Sequence, residues 1–258
     1  MTATLQTIAQ HLDKLLEIAA IADYPNALNG VQCAHRGPVH TLASAVDASE
    51  RTIRLAAAAG ANLLLVHHGL FWGGLQPLTA YQHTRVRLLF EHDMAVYSAH
   101  LPLDTHPRFG NSRLLADVLG LVAAGEFAYH DGIPCGVQGT ADIATADLLG
   151  SVDAFSRAHG GSALASEIIR RRRTMRWAIC SGAGAGVSTL GEATDHGIDT
   201  LIVGEGPHWT AVDAPERGLV IIYAGHYATE TLGVRALGEH VARTFGLPHH
   251  TIDAPTGL

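Results

Sequence analysis

Residues 63–72 have the sequence LLLVHHGLFW. Its apolar run, residues 63–66, is typical of a strand that is buried on both faces, as strands of parallel sheets are. The preceding segment, ERTIRLAAAAG at residues 50–60, predicts a helix that Ser49 caps and Gly60 ends. Strand candidates with the sequences LASAVDAS and MAVYSA lie on either side. This alternation predicts an α/β fold with a mainly parallel sheet.

The second half of the chain repeats this order. The segment at residues 56–72 aligns with EATDHGIDTLIVGEGPHW at residues 192–209, and AVYSAH at 95–100 aligns with IIYAGH at 221–226. Any two α/β units share part of such a pattern, but the matching Gly–x–x–Trp and Tyr–x–x–His endings favour an internal duplication. We therefore predict two similar α/β halves, residues 1–125 and residues 126–258. The C-terminal helix is a candidate for packing back on the first half.

Composition limits the class of protein. The chain has 258 residues, of which 47% are apolar and 16% charged, so it is long enough and apolar enough to bury a sizeable core. A net charge of −7 argues against a general nucleic-acid coat, which needs a basic surface. The chain has three cysteines, Cys33, Cys135 and Cys180, which lie far apart in the sequence. An odd, small number of distant cysteines is typical of a protein in a reducing compartment and not of a disulfide framework. With no signal-like N-terminus and no apolar run of about 20 residues, we expect a cytoplasmic protein without membrane contact.

Polar side chains follow several of the predicted strands, at the edge of the sheet where ligands of α/β proteins gather. These residues are His67 and His68, His100 and Asp104, Glu205 and His208, and His226 and Glu230. Imidazole and carboxylate groups without cysteine suit Zn, Mn, Fe or a similar divalent ion. A set of three histidines and two carboxylates drawn from these residues exceeds what one catalytic metal usually takes, whereas two metals bridged by a carboxylate would use all five.

Two of these pairs also have an interpretation that involves no metal. In a regular strand, His67 and His68 would point to opposite faces, and they converge only if the backbone turns, which Gly69 allows. His226 and Glu230 have i, i+4 spacing and face the same way on a helix, but this spacing is common on exposed helices. Isolated histidines elsewhere are expected at the surface.

The segments LLLVHHGLFW, VYSAHLPLD, GEGPHW and GHYATE, in this order and at these distances, resemble the NGG-interacting factor three-like family. Its bacterial members are known as type 2 GTP cyclohydrolase I or as dinuclear metal-centre proteins. The resemblance covers nearly the whole chain and includes NALNGVQ at residues 26–32 and AVDAS at residues 45–49. It implies two divalent metal ions per chain in a cleft between the two halves, within a ring-shaped homohexamer.

Carried over position by position, the resemblance assigns the metal ligands to His67, His68, Asp104, His226 and Glu230. Either Glu230 or Asp104 would bridge the two ions. Three further residues fall where the family has other polar residues of the cleft, around the ligands or on the substrate: His100, Glu205 and His208. The chain departs from many relatives at residues 206–209, Gly-Pro-His-Trp, where they carry a basic residue and paired polar residues.

Two functions remain open at this point. The first is a metal-dependent hydrolase of the type 2 GTP cyclohydrolase I-like kind, acting on a nucleotide or a related phosphorylated small molecule. Water would attack C8 of the guanine ring while Glu205 or His100 shuttles protons, although the same centre would also suit phosphoester hydrolysis. The second is a non-enzymatic, metal-containing ring scaffold or adaptor that binds a protein or nucleic acid.

Three further motifs carry weaker signals. RRRRTMR at residues 170–176 predicts either a solvated helix end or a phosphate-binding rim, with Arg171 and Arg173 as candidate substrate contacts. The glycines of CSGAGAG, residues 180–186, predict a tight strand-to-helix turn that presents backbone N–H groups to an anion. Trp72 and Trp209 occupy matching repeat positions, and we expect core or cleft-wall roles for them.

Overall fold

The computed structural model describes residues 3–167 and 172–258 of the chain. The elements of the first part of the chain are β1 (Ala3–Thr4), α1 (Leu5–Leu15), β2 (Gly30–Cys33), β3 (Pro38–Val39), β4 (Leu42–Asp47), α2 (Glu50–Ala58), β5 (Leu63–His68), α3 (Ala80–Glu91), β6 (Ala95–Ser98) and α4 (Leu101–Asp104). They are followed by α5 (Asn111–Val118), β7 (Gly125–His130), β8 (Ile133–Ala144), α6 (Thr145–Ala158), β9 (Leu164–Ala165), β10 (Arg173–Cys180), α7 (Val187–Asp195), β11 (Thr200–Val203), α8 (His208–Glu216), β12 (Val220–Tyr223), α9 (His226–Phe245) and β13 (His249–Thr251). None of the helices in these described ranges is both long enough and apolar enough to cross a bilayer.

The chain forms two compact units. The first comprises Met1–His106 and Gly233–Ala254, and the second comprises Pro107–Leu232 and Pro255–Leu258. These bounds differ from those of the two halves inferred from the repeat. Residues 107–125 group with the second unit, and most of α9 groups with the first. The division at residue 125 stays a prediction.

The first unit contains a five-stranded sheet in the order β13-β4-β5-β6-β2. Three of its four strand pairs are parallel, and only β2, at the edge, runs antiparallel to β6. Residues 63–66 of β5 are buried, as the apolar run predicted, and the strand continues through the buried His67 and His68. Helix α2 begins as predicted, because the Ser49 side chain accepts a hydrogen bond from the backbone N–H of Thr52. The mainly parallel α/β sheet is confirmed in this unit.

The second unit contains a six-stranded sheet in the order β7-β8-β10-β11-β12-β9. Its centre, β10-β11-β12, is parallel as predicted, and the antiparallel strands on either side make this α/β sheet mixed. The antiparallel pairs are β8–β10, β12–β9 and β7–β8, and the last of these is a hairpin. Asp131 and Gly132 form its turn, with φ values of 49° and 82°, the left-handed backbone that a two-residue hairpin loop requires.

The two parallel centres share one topology. Each consists of three strands joined by single helices, β4-α2-β5-α3-β6 in the first unit and β10-α7-β11-α8-β12 in the second. This common order confirms the predicted pseudo-duplication. Val66 and Val203 occupy matching positions in the two units. The carbonyl of Val66 accepts the N–H of Ala99, and the carbonyl of Val203 accepts the N–H of Ala224. The Tyr–x–x–His alignment, which paired Ala99 with Gly225, is therefore one residue out of register.

Candidate metal centre

His67 and His68 lie at the end of β5 and converge instead of pointing apart. Together with His100 they form a group whose ligand atoms all lie within 4.8 Å of one another. The rings of His67 and His68 have centroids 4.8 Å apart and are inclined by 46°. Gly69, the next residue, lies in a crowded position, since a Cβ there would lie 2.1 Å from Nε2 of Gln32. This glycine permits a close approach of the Gln32 amide.

Asp104 and His100 complete this group in the first unit. Nε2 of His67 lies 3.4 Å from Oδ2 of Asp104, at the end of the short helix α4. His100, which precedes that helix, was predicted outside the ligand set. The structure brings it together with the histidine pair, so its imidazole could either hold an ion or act beside one.

The three histidines of this group are oriented in the same way. Nδ1 of His67 donates to the carbonyl oxygen of Ala99 at 2.9 Å, since a carbonyl can only accept. Nδ1 of His68 lies 2.9 Å from a carboxylate oxygen of Asp47, and Nδ1 of His100 lies 2.9 Å from Asp23. With the proton on Nδ1, each imidazole keeps its lone pair on Nε2. Histidines that bind metals are usually held by this arrangement.

Asp23 holds more than one part of the site. Its side chain is 6% exposed and accepts hydrogen bonds from the backbone N–H of Leu101 and from the side chain of Asn29. Burial favours a higher pKa for Asp23, but the His100 and Asn29 hydrogen bonds, with the charge of His100, hold its pKa below the usual value. The carboxylate therefore remains ionised opposite His100.

Sequence reasoning missed these anchoring residues. Asn29 accepts the backbone N–H of His100, and Gln32 donates to the carbonyl of Ala27 and accepts the N–H of Leu70. Asn29 and Gln32 belong to the segment NALNGVQ, and Asp47 belongs to AVDAS, both of which served only to support a family resemblance. Those segments were the available signal.

The second unit contains a smaller group around the start of α9. Nδ1 of His226 donates to Oε1 of Glu205 at 2.8 Å, while its Nε2 lies 3.1 Å from Oε2 of Glu230. Burial lowers the pKa of His226, but the hydrogen bonds and charges of Glu230 and Glu205 outweigh it and raise the pKa to about 9. The predicted pair at i, i+4 spacing therefore faces one side of the helix, and Glu205 anchors its histidine.

The CSGAGAG segment forms the predicted turn between β10 and α7, and it packs against this group. Gly182 has φ +63°, and a Cβ there would lie only 2.2 Å from Oε1 of Glu230. Its N–H donates to Oγ1 of Thr229. A Cβ at Gly204 would lie 2.8 Å from Cα of His226. These glycines thus allow the start of α9 to approach the turn, and the predicted anion contact stays a prediction.

The other candidate residues lie in different surroundings. His208 is exposed, as the first residue of α8. Nε of Arg173 lies 2.5 Å from Oδ1 of Asp142, and this exposed pair involves no residue of the groups above. Arg171 lies outside the described residues.

Comparisons with known proteins identify the family. The model of the Duf34/NIF3 (NGG1p interacting factor 3) family matches residues 3–256. The chain belongs to this family. A NIF3 relative from Halobacterium salinarum, named GTP cyclohydrolase 1 type 2 homolog, is 41% identical over 244 residues, covering 92% of this chain and 94% of that protein. One of the same name from Deinococcus radiodurans is 37% identical over 249 residues, covering 94% and 91%.

Solved structures agree with the NIF3 assignment. A structure described as protein ybgI of unknown function has a TM-score of 0.87 and 31% identity, covering 99% of this chain and 100% of that one. The crystal structure of TTHA1606 from Thermus thermophilus has a TM-score of 0.81 and 34% identity, covering 98% and 99%. The resemblance inferred from the sequence motifs is therefore confirmed.

Proposed function

We propose that this NIF3-family chain binds two divalent metal ions and uses them as a hydrolase of a nucleotide or a related phosphorylated small molecule. The ligands in this proposal are those that the family resemblance assigns: His67, His68, Asp104, His226 and Glu230. One observation carries the proposal: Nδ1 of each histidine in this set, His67, His68 and His226, donates a hydrogen bond to an oxygen atom. Residues that served only as packing would have no need of this shared orientation.

The donor set fits a divalent metal of intermediate softness. Imidazole nitrogens and carboxylate oxygens suit Zn, Fe or Mn, and the set contains no thiolate. When bound, such ions lower the pKa of a water molecule and polarise a substrate oxygen. The carboxylates of Asp104 and Glu230 supply negative charge in nearly buried positions, which a cation would compensate.

We assign proton transfer to His100 and Glu205. His100 keeps a lone pair on Nε2 because Nδ1 donates to Asp23, and the ionised Asp23 stabilises the imidazolium that forms when Nε2 takes a proton. The Glu205 side chain is 46% exposed, so it can exchange protons with solvent while it orients His226. The relatives named GTP cyclohydrolase 1 type 2 homolog support a nucleotide as the substrate class.

The adaptor function has weaker support. The basic segment at residues 170–176 would be its best local support, but the described arginines of that segment make contacts within their own unit. Arg172 pairs with Glu167 and donates to the carbonyl of Asp199, Arg173 pairs with Asp142, and Arg176 donates to the carbonyl of His196. These contacts favour a structural role for the three. A homohexamer in the cytoplasm remains part of the proposal.

Turnover by the metal-loaded chain tests the hydrolase. GTP and a phosphodiester are incubated with wild type, His100→Gln and His83→Gln, the last being an exposed histidine of α3. We expect metal-dependent turnover of one substrate, a fall of about 10²–10⁴-fold in His100→Gln, and no change in His83→Gln. Metal-loaded protein that turns over neither substrate would contradict the hydrolase and favour a scaffold.

A further inference from the structure

Two aromatic side chains border the histidine group of the first unit. The Trp72 ring stacks on His68 with centroids 5.3 Å apart at 28°, and it meets His100 edge-on at 4.6 Å. The Tyr24 ring meets Trp72 edge-to-face at 6.2 Å and lies 6.1 Å from the His100 ring. Tyr24 is nevertheless 50% exposed. Half of a large planar side chain therefore lies open to solvent beside the candidate ligands.

The position of Tyr24 is fixed by the same residue that fixes His100. Oδ1 of Asp23 accepts both the backbone N–H of Tyr24 at 2.7 Å and Nδ1 of His100 at 2.9 Å. The Gln32 amide then joins this loop to the turn after β5, through the carbonyl of Ala27 and the N–H of Leu70. The ring is thus held in a defined place relative to the histidine group, as a recognition residue must be.

The chemistry of this surface suits a ring better than a phosphate. Residues 69–84, which carry Trp72, contain no Asp, Glu, Lys or Arg. Phe71, which precedes Trp72 in the sequence, is 39% exposed, and Leu28, four residues after Tyr24, is 51% exposed. Phosphate groups are bound by cations and N–H donors, whereas nucleobases stack on aromatic rings. Trp72 is half-buried against His68, so it supports Tyr24 more than it offers a face of its own.

We propose that Tyr24, backed by Trp72, stacks on the base of the nucleotide substrate and so selects nucleotides over other phosphorylated compounds. This inference rests on the proposed function, because it is the hydrolase that requires a nucleotide. It assigns base recognition to the first unit. Purines bind better than pyrimidines in this arrangement, since the larger ring covers more of the tyrosine.

Calorimetric binding tests the inference on the metal-loaded full chain, with GTP, CTP and inorganic tripolyphosphate as probes. The variants are Tyr24→Leu, Tyr24→Phe, and Tyr81→Leu as a control with a similarly exposed tyrosine, at 52%. We expect wild type to bind GTP more tightly than CTP, and tripolyphosphate most weakly. Tyr24→Leu loses about tenfold in GTP affinity with no change for tripolyphosphate, while Tyr24→Phe and Tyr81→Leu match wild type.

The outcomes separate this inference from the hydrolase. Equal affinity for GTP and tripolyphosphate in wild type, no binding of either, or unchanged GTP binding in Tyr24→Leu would each overturn base stacking, even where turnover is found. Tyr24-dependent GTP binding without any turnover would support the base site and contradict the hydrolase. A circular dichroism spectrum and the metal content of each variant show that Tyr24→Leu is folded and loaded.

Discussion

The two units share a topology but not a chemistry. At the ends of the matched strands β5 and β11, the first unit has His67 and His68 where the second has Gly204 and Glu205. The first unit therefore collects three imidazoles, and the second sets one imidazole, His226, between two carboxylates. The repeat preserved the scaffold that brings polar side chains to a sheet edge, while the ligand types diverged.

This difference has a consequence for proton binding. His226 carries a proton at neutral pH in the metal-free chain, because its two carboxylate neighbours raise its pKa to about 9. A metal ion that uses Nε2 of His226 must displace that proton. The second unit thus holds its ligands in place by an ion pair before metal arrives, whereas the first unit holds its imidazoles by hydrogen bonds that Nδ1 donates.

The largest effect is expected at Gly182. An alanine at this position would have to adopt the left-handed backbone conformation, φ +63°, and its Cβ would lie against the Glu230 carboxylate. We expect Gly182→Ala to lower the free energy of unfolding by roughly 2–4 kcal/mol and to weaken metal binding. Gly186→Ala, in the same turn with nothing within 4 Å of its Cβ, is the control. Equal urea midpoints for the two variants would show that the close approach to Glu230 is absent.

The second effect is the pH dependence of metal affinity. Apparent affinity at the site that uses His226 should rise about tenfold per pH unit between pH 7 and 9, since one proton leaves per ion bound. Glu205→Gln removes one carboxylate that raises this pKa, so the rise should end at a lower pH. Competition with a chromogenic chelator measures both proteins, and a flat profile in wild type would refute the account.

Stability of the metal-free chain should change in the opposite direction. The pKa of His226 in the folded chain lies above its ordinary value of 6.5, so this residue stabilises the fold fully below pH 6.5. That contribution is lost as the pH rises through about 9. Urea unfolding of wild type between pH 6.5 and 9.5 should therefore show a larger decline than unfolding of His226→Gln.

A smaller effect is expected at Asp47, which orients His68 in the first unit. Asp47→Asn keeps an acceptor but removes the charge, and we expect metal affinity to fall about tenfold. The matched control is Asp142→Asn, an exposed carboxylate that pairs with Arg173. If both variants bind metal as wild type does, His68 needs no anchor to act as a ligand.

The smallest effect is expected at Arg173. Its ion pair with Asp142 is exposed, with side chains 52% and 67% accessible, so Arg173→Ala should change the unfolding free energy by less than about 0.5 kcal/mol. Metal content and GTP turnover should not change. A rise in KM for GTP would instead restore this arginine as a substrate contact.

Much of this architecture could be predicted because it is local. The apolar run of β5, the Ser49 cap and the i, i+4 spacing of His226 and Glu230 each lie within a few residues of sequence. The hairpin of β7 and β8 was missed although its Asp–Gly turn is also local. An Asp–Gly pair between two strand candidates is a typical hairpin signal.

The anchors of the site could not be predicted in this way. Asp23 is 77 residues from His100, Asp47 is 21 residues from His68, and Gly182 lies against Glu230 only through the fold. No period or spacing connects such pairs. The grouping of His100 with His67 and His68 likewise depends on the pairing of β5 with β6.

Metal content per chain is the most direct test of the dinuclear centre. The protein is purified without a histidine tag or chelator and then offered Zn, Mn or Fe, as wild type, Glu230→Gln and the surface control His83→Gln. We expect about two divalent ions per chain in wild type and in His83→Gln, and one or none in Glu230→Gln. Wild-type protein that retains no divalent ion under these conditions would contradict the dinuclear centre.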